Sequence, residues 1–75
     1  MTTTQEAFNP EKFKALRFRK GVTQITAAVA LGVAPPTYLR YEKGQTAMGI
    51  DFLNKALAYY GATLADVHDV VAVAD

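Results

Sequence analysis

The chain has 75 residues, of which 51% are hydrophobic and 20% are charged, a balance typical of one small globular domain and not of a disordered segment. It contains no cysteine and a single histidine, His68, which excludes disulfides, thiolate metal sites and multi-histidine sites. The sequence shows no apolar run near the roughly 20 residues of a membrane helix and no secretion signal, so we expect a cytoplasmic protein that contacts no membrane.

Charge is divided unevenly along the chain, although the net charge is only +1. Residues 1–43 carry a balance of +4, whereas residues 44–75 carry a balance of −3. Such asymmetry is typical of a protein with one half facing a polyanion. Ordinary lysines on a solvated helix face would give the same numbers, so charge alone leaves both interpretations open.

Capping residues divide the chain into short helices. Asn9 and Pro10 are typical of a helix start, and Gly21 is typical of a helix end. Thr23 is the expected N-cap of the second helix. The pattern predicts a flexible arm over residues 1–8 and then helices over Pro10–Lys20 (with Phe13 and Leu16 inward), Gln24–Leu31, Pro35–Lys43 and Ile50–Tyr60, the last with Ile50, Leu53, Leu57 and Tyr60 on one face.

The remaining residues predict a fifth helix, followed by a tail whose secondary structure the sequence does not decide. Thr63 to Asp66 is a capping-box variant that begins the helix. Residues 67–75 are apolar and β-branched, and their spacing fits either a helix or a strand. We expect residues 9–75 to form one all-α, five-helix domain, with 67–75 as a candidate dimerisation tail.

The second and third predicted helices are the informative pair. Only Gly32, Val33 and Ala34 separate them, and two short helices joined by a three-residue turn with glycine have helix-turn-helix geometry. The close crossing of such helices requires small residues, which Ala27 and Ala28 supply.

From Phe13 to Val67 the chain resembles the Cro/repressor helix-turn-helix family of phage and bacterial regulators, also called XRE-like. The order and spacing of its motifs carry the resemblance: Leu16-Arg17, Gly21-Val22-Thr23-Gln24, Ala28, Leu31-Gly32-Val33, Thr37, Arg40-Tyr41-Glu42-Lys43-Gly44, and Gly61 with Thr63-Leu64. The resemblance implies a lambda-repressor-like fold with a central helix-turn-helix, sequence-specific binding of double-stranded DNA as a homodimer, and transcriptional repression.

The resemblance also implies site residues. Arg17 and Glu42 match a family salt bridge that is structural. The expected DNA phosphate contacts are Gln24, Thr23, Lys43 and Lys20, although the lysines could equally be solvated cations. The third helix is expected to enter the major groove, and its candidate base contacts are Pro35, Pro36, Thr37, Leu39 and Arg40. Tyr38 and Tyr41 fall on inward positions, with the Tyr38 hydroxyl expected to reach the surface.

The chain departs from the family pattern at three places. Pro35 and Pro36 replace polar base-reading side chains, which leaves Arg40 as the main expected guanine contact and some reliance on DNA shape. The loop 45–49 carries no basic residue, so we expect a shallow salt dependence. Ile25 and Val29 stand where charged residues are usual and form a candidate partner surface, or merely scattered surface residues.

The apolar tail offers a second candidate surface. Val67, Val70, Val71 and Val73 could pack on the protein's own core, or they could pair with a second copy across a two-fold axis. We favour the dimer, because a small domain gains from the added burial.

These features favour a non-enzymatic homodimeric repressor acting on an inverted-repeat operator. The setting is a phage switch of the repressor or Cro type, a restriction–modification controller or an antitoxin. We expect no catalytic residue, no cofactor, no metal and no small-molecule ligand, and a solvated His68. The alternative is a protein-interaction module that binds a second regulatory protein through the apolar second helix. In either case we expect a bacterial cell, with a phage as one source of the gene.

Overall fold

The computed structural model describes residues 2–74, with side chains described for residues 7–69. In chain order the elements are strand β1 (Thr2–Phe8), helices α1 (Pro10–Lys20), α2 (Gln24–Leu31), α3 (Pro35–Glu42) and α4 (Ile50–Tyr60), a 3-10 helix (Leu64–Val67) and strand β2 (His68–Ala74). The two strands form one antiparallel ribbon. Among the described residues, no helix has the length and apolar character needed to cross a membrane.

Local capping explains where the helices begin and end. The Asn9 Oδ1 atom accepts hydrogen bonds from the backbone N–H groups of Glu11 (2.9 Å) and Lys12 (3.3 Å) at the start of α1. The Thr23 Oγ1 atom accepts from the Thr26 N–H at 3.1 Å at the start of α2. Both caps satisfy N–H groups that have no partner inside the helix. The predicted bounds of α1, α2 and α4 are confirmed, and α3 ends at Glu42, one residue earlier than predicted.

One hydrophobic core lies between the four helices. Its buried members come from every helix: Phe13, Leu16, Ala27, Ala28, Leu31, Tyr38, Leu53, Ala56, Leu57, Tyr60 and Val67. Ala27 and Ala28 are fully buried, so their small side chains let α2 approach its neighbours closely. The prediction for Ile50 was wrong: this side chain is 61% exposed at the first position of α4, whereas Ala56 is fully buried.

The prediction of five helices was wrong, whereas the predominantly helical fold is confirmed. The capping box is present, with the Thr63 N–H donating to Asp66 Oδ2 at 2.8 Å, but it begins only a 3-10 helix of four residues. The chain then extends as β2, because β-branched residues fit a pleated strand better than a helix. A strand needs a partner, and the periodicity of the tail alone did not identify one.

The N-terminal segment supplies that partner, so the structure differs from the flexible arm predicted for residues 1–8. β1 pairs with β2 over seven residues, from Thr2 opposite Ala74 to Phe8 opposite His68. The ribbon is fastened at its base: Asn9 Nδ2 donates to Asp69 Oδ2 at 2.6 Å, and Lys12 Nζ lies 2.5 Å from Asp69 Oδ1. Phe8 packs on the core, with its ring centroid 5.9 Å from that of Phe13.

Tyr38 also lies differently from the prediction. Its hydroxyl does not reach the surface, because the whole side chain is buried and the hydroxyl hydrogen-bonds to that of Tyr60 in α4. Burial, together with the nearby Glu42 carboxylate, raises the pKa of Tyr38 far above its usual range. The hydroxyl therefore stays protonated and links α3 to α4.

Gly44 is required at the end of α3 for two reasons. Its φ is +71°, a left-handed conformation that side chains with a Cβ rarely adopt. A Cβ added there would also lie 2.8 Å from Pro10 Cγ at the start of α1. Gly21 shares the first requirement, with a φ of +78°, but among the described atoms nothing lies within 4 Å of its added Cβ.

Gly44→Ala is therefore expected to destabilise the protein more than Gly21→Ala. Both variants incur the cost of a left-handed residue, about 1–2 kcal/mol, but only Gly44→Ala also pushes α1 away from α3. Urea unfolding of both variants measures the difference in the free energy of unfolding. Equal losses in the free energy of unfolding would show that Pro10 moves aside without destabilising the protein.

Asp69 makes the base of the ribbon sensitive to acid. Its hydrogen bonds with Lys12 and Asn9 lower the pKa of the Asp69 carboxyl. The carboxyl of an aspartate in an unfolded chain has a pKa of about 3.9. The stabilisation from the Asp69 contacts is therefore fully present above that pH, and it is lost as the pH falls through the lower pKa of the folded state.

We expect NMR titration of the Asp69 carboxyl carbon to give a pKa below the ordinary aspartate value. In Lys12→Met the pKa of Asp69 should rise towards that value, because the main hydrogen bond is gone. An ordinary pKa in the wild type, or no change in Lys12→Met, would contradict the ion pair at the ribbon base.

Candidate nucleic-acid interface

Helices α2 and α3 form a compact helix-turn-helix. Gly32 ends α2 with a φ of +74°, and the Val33 N–H then donates to the Ala28 carbonyl at 3.0 Å. The chain re-enters a helix at Pro35. Ala34 has no side-chain oxygen to cap α3, but Pro35 and Pro36 lack N–H groups, so the first turn has fewer donors to satisfy.

A buried ion pair fixes α3 against α1. Arg17 Nε donates to Glu42 Oε2 at 2.7 Å, and Arg17 Nη2 donates to Glu42 Oε1 at 3.3 Å. The two residues are only 7% and 3% exposed. The planar guanidinium meets the carboxylate through two parallel hydrogen bonds, a geometry that restrains orientation as well as distance. The pair predicted from the sequence thus lies between α1 and the last residue of α3.

The ion pair also reaches α2. Arg17 Nη1 donates to the Val22 carbonyl at 3.1 Å, and Gln24 Nε2 donates to Glu42 Oε1 at 3.3 Å. Hydrogen bonding to Glu42 raises the pKa of Arg17, against the opposing effect of burial. Three helices therefore meet at one satisfied charge pair, and among the described side chains no buried nitrogen or oxygen lacks a hydrogen-bond partner.

The predicted base-reading residues all lie on the described surface of α3. Pro35, Pro36 and Arg40 are exposed, and Thr37 and Leu39 are half-buried. Tyr41 is also half-buried, and its ring packs on Phe52 of α4 with centroids 4.7 Å apart. The helix therefore presents one cationic side chain among mostly apolar ones.

The predicted phosphate contacts divide into two groups. Gln24 and Lys43 line a shallow depression of about 230 Å³ where α1, α2 and α3 meet, and Thr23 is exposed beside it at the start of α2. Lys20 lies elsewhere, with its ammonium 4.5 Å from the ring centroid of Tyr59 in α4. The structure thus brings Gln24 and Lys43 together and leaves Lys20 apart.

The candidate partner residues also have different surroundings. Ile25 and Val29 are 64% and 71% exposed on the outer face of α2. Val67 is fully buried in the core, so its prediction as a dimer surface was wrong: the 3-10 helix turns this residue inward. The side chains of Val70, Val71 and Val73 lie outside the described residues.

Three residues contribute to this region in ways that the sequence did not predict, although Tyr60 was expected on the inward face of α4. Lys14 lines the same depression as Gln24 and Lys43, and its spacing of three residues from Arg17 on α1 was the available signal. Tyr60 holds Tyr38, as described above. Lys55 of α4 places its ammonium 3.5 Å from the position of a Cβ at Gly32, where a cation is favoured by the helix dipole of α2.

His68 is half-buried in the described structure, and its ring contacts the backbone of the 3-10 helix. His68 Nδ1 lies 2.7 Å from the Leu64 carbonyl, which occupies one ring nitrogen. Across residues 7–69, no three histidine or acidic side chains are grouped closely enough to hold a metal ion.

Comparisons with known proteins agree with this geometry. A family model described as "Helix-turn-helix domain" matches residues 11–70. Among curated proteins, the chain is 32% identical over 56 residues to the cryptic phage CTXphi transcriptional repressor RstR of Vibrio cholerae. The match covers 75% of this chain and 50% of that relative, so the chain spans about half of the relative's length. No solved structure matches the chain significantly.

The ion pair predicts a strongly non-additive result. Arg17→Leu or Glu42→Leu alone should lower the free energy of unfolding by about 3–5 kcal/mol, because each leaves a buried charge without its partner. The double variant should lose much less than the sum of the two, since no buried charge remains. Chemical unfolding of all four proteins measures the coupling, and additive losses would contradict a buried, coupled pair.

Proposed function

The chain belongs to the helix-turn-helix family of XRE-like DNA-binding transcriptional regulators, and from that membership we propose that it is a repressor acting as a homodimer on an inverted-repeat operator. The observation that supports this most is the position of α3: the Arg17–Glu42 pair holds it, while Arg40 stays exposed on its surface. The proposed mechanism is occlusion of a promoter by the bound dimer, in the bacterial cytoplasm and without any catalytic step.

In this proposal α3 enters the major groove and Arg40 donates two hydrogen bonds to a guanine. Pro36 and Leu39 contribute apolar contacts, for which thymine methyl groups are the matching base feature. Since Pro35 and Pro36 donate no hydrogen bond, few hydrogen bonds read the bases directly, and the shape of the DNA contributes to specificity.

Phosphate contacts position the helix. Gln24 uses one amide hydrogen on Glu42, and an amide nitrogen carries a second one that is available to a phosphate oxygen. Lys43 and Lys14 add charge around the same depression, and the exposed start of α2 offers N–H groups to the same anion. Two copies would place two α3 helices about 34 Å apart, in successive major grooves.

Titration of fluorescent DNA from upstream of the protein's own gene tests the proposal, with anisotropy as the readout. Arg40→Ala should weaken binding to the specific site by about 5- to 150-fold, equivalent to about 1–3 kcal/mol. Arg19→Ala is the matched control, because it removes the same charge from an exposed position on α1. Binding to one discrete site that Arg40→Ala weakens and Arg19→Ala does not supports the proposal. Binding that is absent, or that both variants weaken equally, contradicts it.

A second candidate function rests on the exposure of Ile25 and Val29. In that hypothesis the outer face of α2 binds another regulatory protein. Ile25→Asp should leave DNA binding unchanged if the repressor function stands alone, and it should abolish capture of a regulator if this face is a docking site. DNA binding lost in Ile25→Asp would contradict the separation of the two surfaces.

A further inference from the structure

The ribbon formed by β1 and β2 has two open edges. Within residues 2–74 each strand has the other as its sole neighbour. The Cα atoms extend over 45 × 21 × 19 Å with a radius of gyration of 13.3 Å, against about 11 Å for a compact domain of this length. A seven-residue strand spans about 24 Å, so the ribbon accounts for much of the long axis. A two-stranded ribbon is marginally stable alone.

The backbone hydrogen bonds determine which groups face outward. The Asn9 N–H donates to the Val67 carbonyl at 2.7 Å, and the register continues without a bulge from that pair into the ribbon. In an antiparallel pair, hydrogen-bonded and non-hydrogen-bonded residues alternate. The N–H and C=O groups that point away from the partner strand therefore belong to His68, Val70, Ala72 and Ala74 on β2, and to Thr2, Thr4, Glu6 and Phe8 on β1.

The two edges differ in how they are protected. At the base of β2, Lys12 Nζ donates to the outward His68 carbonyl at 3.4 Å, so that group has a partner. Beyond it, residues 70–74 contain no charge, no proline and no glycine, and edge strands normally carry such features to prevent further pairing. Strand β1 carries the charge of Glu6 and has two threonines among its outward residues. Residues 70–74 therefore lack the features that protect an edge strand from further pairing.

We propose that a second copy of this chain pairs with the β2 edge, giving an antiparallel four-stranded sheet in the order β1–β2–β2–β1. This inference rests on the homodimer of the proposed function and specifies its interface. The two-fold axis passes at Ala72, with Val70 of one copy opposite Ala74 of the other, because this register uses the outward N–H and C=O groups of all three residues beyond the His68 carbonyl that Lys12 engages. A strand pairing with itself is isologous, which is the symmetry that an inverted repeat requires.

Proline substitution separates the two edges. Ala72→Pro removes an outward N–H from β2, and Thr4→Pro removes an outward N–H from β1 at the paired position. Neither removes a hydrogen bond within the ribbon, since proline is tolerated where the N–H faces solvent. Light scattering after size exclusion should give a dimer for the wild type and Thr4→Pro, and a monomer for Ala72→Pro with unchanged helical circular dichroism. A dimeric Ala72→Pro would overturn the interface.

Cysteine substitution tests the same register without the risk of disturbing the strand. The chain has no native cysteine, and directly opposite residues of an antiparallel pair have Cβ atoms about 4.5–5.5 Å apart, a separation that a short bis-maleimide cross-linker spans. With this reagent Ala72→Cys should form a covalent dimer, and Thr4→Cys should not. Equal cross-linking of both variants, or of neither, would overturn the pairing across β2.

DNA binding by the same variants distinguishes failure of the interface from failure of the repressor proposal. If the wild type is a dimer that binds DNA, and Ala72→Pro changes neither its oligomeric state nor its DNA binding, the β2 interface is overturned and the repressor proposal stands. A wild-type protein that is monomeric and binds no DNA would overturn both. Ala72→Pro that is monomeric and binds an inverted repeat much more weakly than the wild type would support both.

Discussion

The orientation of α3 depends on the buried ion pair between Arg17 and Glu42. Two charges in a core stabilise a fold only when their hydrogen bonds are satisfied, and here the carboxylate also accepts from Gln24 while the guanidinium also donates to Val22. The pair thus restrains α1, the start of α2 and the end of α3 together. In the proposed function, a helix held in this way would lose little conformational freedom on binding DNA.

The aromatic core supports the same helix from its other side. Tyr38 is buried under α3 and shares a hydrogen bond with Tyr60 of α4, while Phe13 packs edge-on against Tyr60 with ring centroids 5.8 Å apart. α3 is therefore held by polar contacts at its end and by packing along its length. Arg40 is the cation on the exposed surface of α3, beside two prolines, so the proposed readout rests on few hydrogen bonds.

Much of the helical domain could be predicted from the sequence, because caps and glycines act locally. Asn9 and Thr23 begin helices through side-chain oxygens that accept from nearby N–H groups, and Gly21 ends a helix through its own backbone N–H. The ribbon could not be predicted in the same way, since β1 and β2 are about 60 residues apart and neither strand is stable without the other. Val67 and Ile50 were misplaced for a related reason: periodicity assigns a face to a residue, but the end of a helix determines whether that face is covered. The roles of the α3 residues on DNA remain predictions.

The central claim is that α3 reads DNA as one of a symmetric pair. In vitro selection from random duplex DNA, run in parallel with wild type and Arg40→Ala, tests it most directly. We expect the wild type to enrich an inverted repeat with half-sites about one helical turn apart, and Arg40→Ala to lose the preference at one symmetric pair of guanines. Enrichment of the same sequence by both proteins, or of no sequence by the wild type, would contradict the account.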